Sequence, residues 1–275
     1  ALPKVTLRAA GPLLAIGLFG CGGAAPLLHP AQVLDPGDVR AMGGLAARAV
    51  VGGLGDELRT ATNEAVAAQA SGNAPSIDTH YAAGALVAAS MAPDLSPIVG
   101  ARVGIGGDFE GGLIYTGRGA RADLRRAFRL GGAASPWALT IGLGLDAAFV
   151  GRQTHTLPGV DGENVFGFGG DLPVLVGWRS QAGLYYAWIG ARFGYEHDTI
   201  KVAGSENPSP LDQATLTGDR FSVGGLVGVA IGFRHLYVGL ELEADYANVS
   251  GTFGGVSARV DGLSLTPATA LWVDF

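Results

Sequence analysis

Apolar and polar residues alternate one by one along much of the chain, most clearly from Leu236 to Tyr246. Every second residue of this stretch is apolar, and the residues between include Glu241, Glu243 and Asp245. Because successive side chains of a β-strand point to opposite faces, the stretch predicts a strand with one apolar and one acidic face. A soluble sheet would pack the apolar face in a core. A membrane barrel would turn it to lipid and line its interior with the acids.

The same two-residue period recurs along the chain and predicts a series of strands. Their ranges are 38–51, 97–105, 113–125, 137–149, 172–179, 185–197, 221–233, 236–246 and 263–275, and residues 107–110 form a tight turn. The parity slips near Arg118, which is out of phase with Arg121, and a bulge at Gly119 would restore it. Short connections (131–136, 181–183, 234–235) alternate with long polar ones (151–171, 198–218), as in outer-membrane barrels.

Two alanine-rich stretches interrupt this rhythm. Residues 53–73 begin with acidic residues and end in Ser-Gly-Asn, which predicts a short helix in the first long loop. Residues 80–91 suit a helix or a strand; as a strand they give about ten strands, and as a helix about eight. We favour ten. The predicted fold is therefore an all-β, transmembrane, antiparallel up-and-down β-barrel of about ten strands, with eight as the alternative.

Composition agrees with a barrel that meets lipid. Glycine supplies 46 of the 275 residues, charged residues only 15%, and the mean hydropathy is +0.31. No internal stretch reaches the roughly 18 unbroken apolar residues that a spanning helix requires. The formal net charge of −6 argues against nucleic acid as a partner.

The amino-terminal residues read as an export signal, with Lys4 and Arg8 before a short apolar run. The run ends in Leu18-Phe19-Gly20-Cys21, which resembles the lipobox of bacterial lipoproteins. The resemblance implies that residues 1–20 are a signal peptide and that Cys21 is the lipidated first residue of the mature chain. An ordinary signal peptide cut nearby is the alternative. Residues 21–36 then form a lipidated or periplasmic tether, and residues 37–275 form the barrel.

The strands, the aromatic residues near their ends and the terminal phenylalanine together resemble small, porin-like bacterial outer-membrane β-barrel proteins. The aromatic residues are Trp137, Trp178, Tyr185, Tyr246 and Trp272. Leu271, Val273 and Phe275 match the carboxy-terminal insertion signal of that group. The resemblance implies assembly by the barrel-insertion machinery and residence among the lipids of a Gram-negative outer membrane.

The parity that faces the predicted interior collects most of the charged residues. They are Arg40, Arg48, Arg102, Arg118, Arg121, Arg125, Arg179, Arg192, Arg234, Asp123, Asp146, Glu196, Glu241, Glu243 and Asp245. Such charges must form ion pairs or remain hydrated. Paired, they would plug the barrel and leave a non-conducting structural or surface-binding protein. Hydrated, they would form a charged constriction that selects small solutes. Inward glycines such as Gly228 and Gly239 would leave empty volume, so we predict a small pore and keep the plugged barrel as the alternative.

Candidates for catalysis are few. His155, His197 with Asp198, and Asp219 all fall near the long-loop rim, where outer-membrane enzymes place their reactive residues. No motif links them, so an enzyme with rim histidines is the less favoured hypothesis. We expect neither a cofactor nor a metal.

Overall fold

The computed structural model describes residues 25–73, 75–91, 93–117, 119–132, 135–149, 157, 160–204 and 214–275. Within these residues the chain forms eleven strands and two helices. The strands are β1 (Val39–Ala47), β2 (Ala49–Val51), β3 (Leu95–Gly106), β4 (Phe109–Tyr115), β5 (Gly119–Arg129), β6 (Trp137–Ala148), β7 (Val160–Arg179), β8 (Tyr185–Gly204), β9 (Thr215–Phe233), β10 (Leu236–Phe253) and β11 (Val256–Asp274). The helices are α1 (Gly53–Ala70) and α2 (Thr79–Met91).

The sheet closes on itself. Strands β3 to β11 pair antiparallel in chain order, β1 pairs with β3, and β11 pairs back to β1. β2 keeps the register of β1 against β11, with Ala46 opposite Ala268 and Ala49 opposite Leu265. Because β2 continues β1, the barrel has ten strands. The predicted ten-strand antiparallel barrel is confirmed.

The exterior of the barrel is apolar over a broad band. On β10, Leu240 is 55% exposed while its neighbours Glu241 and Glu243 are buried. Outward side chains of β8, β9 and β11 repeat this pattern, and Ile231 is also 55% exposed. So large a continuous apolar surface has no partner within the chain and is suited to lipid. Among the described residues, no helix is both long and apolar enough to cross a membrane.

The apolar band ends towards the rim that carries the long loops (the loop rim), where polar side chains of β8 and β9 appear on the exterior. Tyr195 donates its hydroxyl to Asp219 Oδ1 over 2.7 Å, and Tyr246 likewise donates to Asp261. Tyrosines with a wet hydroxyl are typical of the membrane–water boundary.

The ten strands differ in height. β7 to β11 have 18–20 residues, whereas about 9–11 suffice to cross a bilayer. β3 to β6 have only 7–12 residues. The barrel therefore has a tall wall that continues beyond the lipid and a short wall that does not. Much of the sequence predicted as loops 151–171 and 198–218 is strand. Strands can pair outside the lipid without alternating apolar and polar residues, so the alternation did not mark these parts.

Residues 80–91 are helical, so the preferred strand assignment was wrong. The helix α2 is buried on every side from Tyr81 to Met91, and such a uniformly apolar helix needs an enclosing environment. The count of ten is kept because residues 95–129 form three strands. The chain turns between β4 and β5, where the Thr116 N–H donates to Gly119 O at 3.0 Å, and this turn takes the place of the predicted bulge at Gly119. The predicted short helix in the first long loop is confirmed as α1.

The two helices form a hairpin near the loop rim that packs against β8 to β11. α2 packs against inward residues of the tall wall, including Leu216, Val249 and Phe253. Gly84 allows the hairpin to close, because a Cβ there would meet Glu57 O at 2.5 Å. The hairpin and the tall wall thus share one apolar core.

Leu86 of α2 is the most direct probe of this core. Its Cδ2 lies against the backbone of Gly218 and Gly251 on the tall wall. We expect Leu86→Ala to lower the free energy of unfolding in lipid vesicles by about 2–5 kcal/mol, because it leaves a cavity. The exposed Val66 of α1 is the matched control, and Val66→Ala should change little. Equal losses in both variants would contradict this packing.

The hairpin also carries an exposed ion pair. His80 Nδ1 lies 2.9 Å from Glu57 Oε2, and the hydrogen bond and the charge of Glu57 raise the pKa of His80. The attraction is present below the ordinary histidine pKa and is lost as pH rises through the raised value. An NMR titration of the His80 imidazole should show its pKa falling in Glu57→Gln. The more distant Glu64→Gln should have a smaller effect, and an equal fall would contradict the pairing.

Candidate functional site: the filled barrel interior

The barrel interior is filled at three levels. Near the rim of the short turns (the turn rim), residues 25–36 run inside the barrel beside four aromatic side chains: Tyr186, Trp188, Tyr237 and Trp272. A layer of charged side chains lies above them. The helical hairpin lies at the third level, against β8 to β11 next to the loop rim. The strands place each level, because their inward parity carries aromatic, charged and then apolar residues in turn.

The central level is a continuous chain of ion pairs, which we call the charge layer. Its members alternate in sign in the order Arg125, Glu110, Arg102, Asp123, Arg121, Asp171, Arg192 and Glu243. Asp171 illustrates the geometry: its carboxylate lies 2.8 Å from Arg121 Nε and 2.6 Å from Arg192 Nη2. These side chains are no more than 3% exposed. Four arginines face four carboxylates, so the layer is formally neutral.

The other predicted interior charges lie at several heights. Arg40 pairs with Asp274 at 2.6 Å near the turn rim, and Arg220 pairs with Glu196 closer to the loop rim. Arg48 lies within electrostatic reach of that second pair. Asp146 and Asp245 have the inward parity of their strands. Arg179 and Arg234 are exposed at the turn rim, and Arg118 lies outside the described residues.

Three buried charged residues, Glu110, Asp171 and Arg220, were not predicted, and a fourth, Asp198, was predicted only as a candidate at the loop rim. Glu110 follows a turn, and the others fall in or beside stretches predicted as loops. Asp171 and Arg220 could have been predicted as inward-facing, because they continue the inward parity of β7 and β9. Extending each strand by the same period would have found them.

Residues 25–36 are held by wall side chains through their backbone. Glu241 accepts from the Leu27 N–H at 2.8 Å and from the Leu28 N–H at 3.1 Å. Arg192 donates to Ala25 O at 2.7 Å. The described part of the predicted tether therefore lies inside the barrel, not ahead of it in the periplasm. Cys21 and the signal peptide lie outside the described residues, and their processing stays a prediction.

The inward glycines do not leave the empty volume that favoured a pore. A Cβ at Gly228 would collide with the Trp188 ring, and one at Gly239 with the Trp272 ring. At Gly144 it would meet Arg121 Nη2 at 2.5 Å. Each glycine makes room for a large side chain on the neighbouring strand, so the interior is packed.

The predicted interfacial aromatics divide between the two faces of the barrel. Trp137, Tyr185 and Tyr246 are exposed on the exterior, and Trp178 is partly exposed. Trp272 is instead fully buried, stacked on Tyr237 with ring centroids 5.8 Å apart. In the carboxy-terminal pattern, the alternate residues Leu271 and Phe275 are exposed and Val273 partly so. Their role as an insertion signal stays a prediction.

The rim histidine lies on the barrel exterior. His197 Nδ1 is 2.9 Å from Asp219 Oδ1, and Phe168 packs beside its ring. Asp198 points to the opposite face of β8 and is buried, so it cannot partner His197. His155 lies outside the described residues. In the part of the chain that the structure describes, no three His, Cys, Asp or Glu residues are grouped to hold a metal.

These observations decide the class of protein. The chain is a transmembrane β-barrel. An even number of antiparallel strands, an apolar exterior band and a polar interior are the architecture of bacterial outer-membrane proteins.

At its turn rim a cavity of about 810 Å³ opens beside residues 32–36, lined among others by Arg129 and Arg179.

Comparisons with known proteins find solved structures only. No protein-family model and no curated protein matches the chain. Neisserial surface protein A aligns over 86% of this chain and 96% of its own, with 11% identity and a TM-score of 0.30. A major outer-membrane protein of Thermus thermophilus aligns over 86% of this chain and 99% of its own, with 10% identity and a TM-score of 0.33. Ail of Yersinia pestis aligns over 86% of this chain and 99% of its own, with 8% identity and a TM-score of 0.29. At these scores the likenesses carry no argument, and the assignment rests on the barrel itself.

The charge layer predicts a large effect of one carboxylate. Asp171→Asn should lower the free energy of unfolding in lipid vesicles by about 3–5 kcal/mol, because two buried arginines would lose their shared anion. Asp108 is exposed in the β3–β4 turn with φ 62°, a conformation that asparagine tolerates. Asp108→Asn should therefore change stability by no more than about 0.5 kcal/mol. A tolerated Asp171→Asn would show that the ion-pair chain contributes little.

Proposed function

We propose that this protein is a closed outer-membrane barrel that conducts neither ions nor small solutes and presents a surface-binding platform outside the cell. The charge layer carries the proposal, because its side chains are almost inaccessible to water. A water-filled pore keeps its lining charges hydrated. Here each arginine is paired with at least one carboxylate, on its own strand or within two strands of it.

The other two levels of the interior support the same function. Residues 25–36 occupy the turn-rim half, and the helical hairpin occupies the loop-rim half. A solute would have to displace both and break the ion pairs between them. The closed, plugged barrel is thus better supported than the small pore.

The tall wall and the hairpin support a role at the cell surface. β7 to β11 continue beyond the lipid, and α1 turns its face with Arg59, Asn63 and Val66 to solvent. The shared core makes this a rigid platform, as recognition surfaces require. The proposal includes no enzymatic activity: His197 and Asp219 lie on the exterior, where Tyr195 donates its hydroxyl to the same carboxylate oxygen.

A solute pore is the second candidate, and one observation favours it. The cavity at the turn rim reaches residues 32–36, which are not part of the β-sheet. Withdrawal of that segment would extend the cavity into the barrel as far as the charge layer. Conduction would still require the hairpin and the ion pairs to rearrange.

We also propose Gram-negative outer-membrane residence and assembly by the barrel-insertion machinery. The outward positions of Leu271 and Phe275 support recognition of the last strand. Export through a signal ending near Gly20, with lipidation of Cys21, is part of the same proposal.

Planar-bilayer recordings test the closed barrel. The full chain, refolded into vesicles and checked by its heat-modifiable mobility, should give no steady conductance steps on fusion with the bilayer. Entrapped small dyes should be retained. Reproducible ohmic steps in most insertions of the heat-modifiable protein would overturn the closed barrel and favour the pore.

A further inference from the structure

We propose that the barrel interior is a binding site for a polypeptide segment, which residues 25–36 occupy as an exchangeable ligand. This inference concerns what the interior recognises, so it stands or falls separately from conductance. The ligand class is a peptide segment with free backbone amides and uncharged, apolar side chains.

Most polar contacts of the wall are with the backbone of the segment, and two are with its side chains: Arg125 Nη1 lies 2.6 Å from His29 Nδ1, and Gln32 donates to Pro136 O at 3.1 Å. Carboxylates meet its amides: Glu241 binds the N–H groups of Leu27 and Leu28, and Glu110 binds that of Leu34 at 2.8 Å. Donors meet its carbonyls. Arg192 donates to Ala25 O, Thr140 to Ala31 O, and Arg125 to the carbonyls of Pro30 and Gln32. Such a pattern of acceptors and donors is complementary to a backbone that follows this path, which turns at Leu28 (φ 50°).

Two wall glycines leave space for that backbone. A Cβ at Gly177 would lie 2.8 Å from Ala31 Cβ and 3.2 Å from Ala31 N. A Cβ at Gly104 would lie 2.7 Å from Leu34 O and still closer to Asp35 O. Both approaches are too close for any residue but glycine. The wall is therefore shaped around a peptide at both places.

The side chains of the segment add burial without charge. Leu27 and Leu28 are fully buried among the interior apolar residues, and no residue from 25 to 34 carries a formal charge except through protonation of His29. An aspartate at position 27 or 28 would stand beside Glu241 in a buried site, which is strongly unfavourable. The site therefore selects apolar residues next to its two amide contacts.

The segment is suited to exchange. It belongs to no strand, and only Gly37 and Asp38 join it to β1. If it left, Glu241, Arg125 and Arg192 would lose partners, so an empty site favours another backbone. The short connection gives the segment an effective concentration of the order of millimolar, which keeps free peptides out of the intact protein.

The test uses the full chain with its own segment expelled by Leu27→Asp/Leu28→Asp, which leaves the wall unchanged. The probe is a fluorescent peptide of residues 25–36, added to protein in lipid nanodiscs. We expect saturable binding to this variant. A peptide N-methylated at Leu28, which keeps every side chain but loses one amide donor, should bind at least about tenfold more weakly. Val33→Asp is the matched control, because Val33 borders the open cavity; its segment should stay bound and block the probe.

A cysteine reporter follows the chain's own segment. In a Cys21→Ser background, Ala25→Cys should react with maleimide about tenfold faster or more once Leu27→Asp/Leu28→Asp is added. Absence of saturable binding, or equal binding of the N-methylated peptide, would overturn the proposal. A reporter that stays protected in the charged variant would overturn it as well, because the segment would then not be exchangeable.

Discussion

Every charge inside this barrel must find a partner, and the rest of the interior follows from that constraint. Isolated ions away from water cost several kcal/mol each, whereas paired and hydrogen-bonded ions are tolerated. The charge layer meets the constraint by placing Asp123 and Asp171 each between two arginines. A layer paired in this way gives every one of its charges an opposite partner, although the buried Arg192 Nε makes no hydrogen bond, and the barrel closes at its centre.

The same constraint explains why a segment without secondary structure can lie inside a membrane barrel. Backbone amides and carbonyls removed from water need partners as much as charges do. Residues 25–36 obtain them from Glu110, Arg125, Arg192 and Glu241, which are themselves charges in need of contacts. The segment and the wall thus satisfy each other, and neither is complete alone.

The alternation of residues predicted the barrel because it reports what surrounds each strand. It identified the lipid-facing side of β10 and inward charges such as Arg102, Arg121 and Glu241, but it also included Arg179 and Arg234, which are exposed at the turn rim. It could not show whether those charges pair, since pairing depends on register between strands far apart in sequence. Arg121 and Asp171, for example, meet across 50 residues. Glycines posed the same difficulty, because the ring that fills the space at Gly239 belongs to Trp272 on the next strand.

The helix α2 was mistaken for a strand because a barrel was expected to supply only two environments, lipid and lumen. A stretch such as His80 to Met91, apolar at nearly every position, fits neither face of a strand that alternates between them. It fits a third environment, a core enclosed by protein on all sides. That core exists only because β8 to β11 rise beyond the membrane and curve around the hairpin. The height of the tall wall and the burial of α2 are therefore one structural feature: without the wall the helix would expose its apolar surface, and without the helix the wall would line an empty cavity.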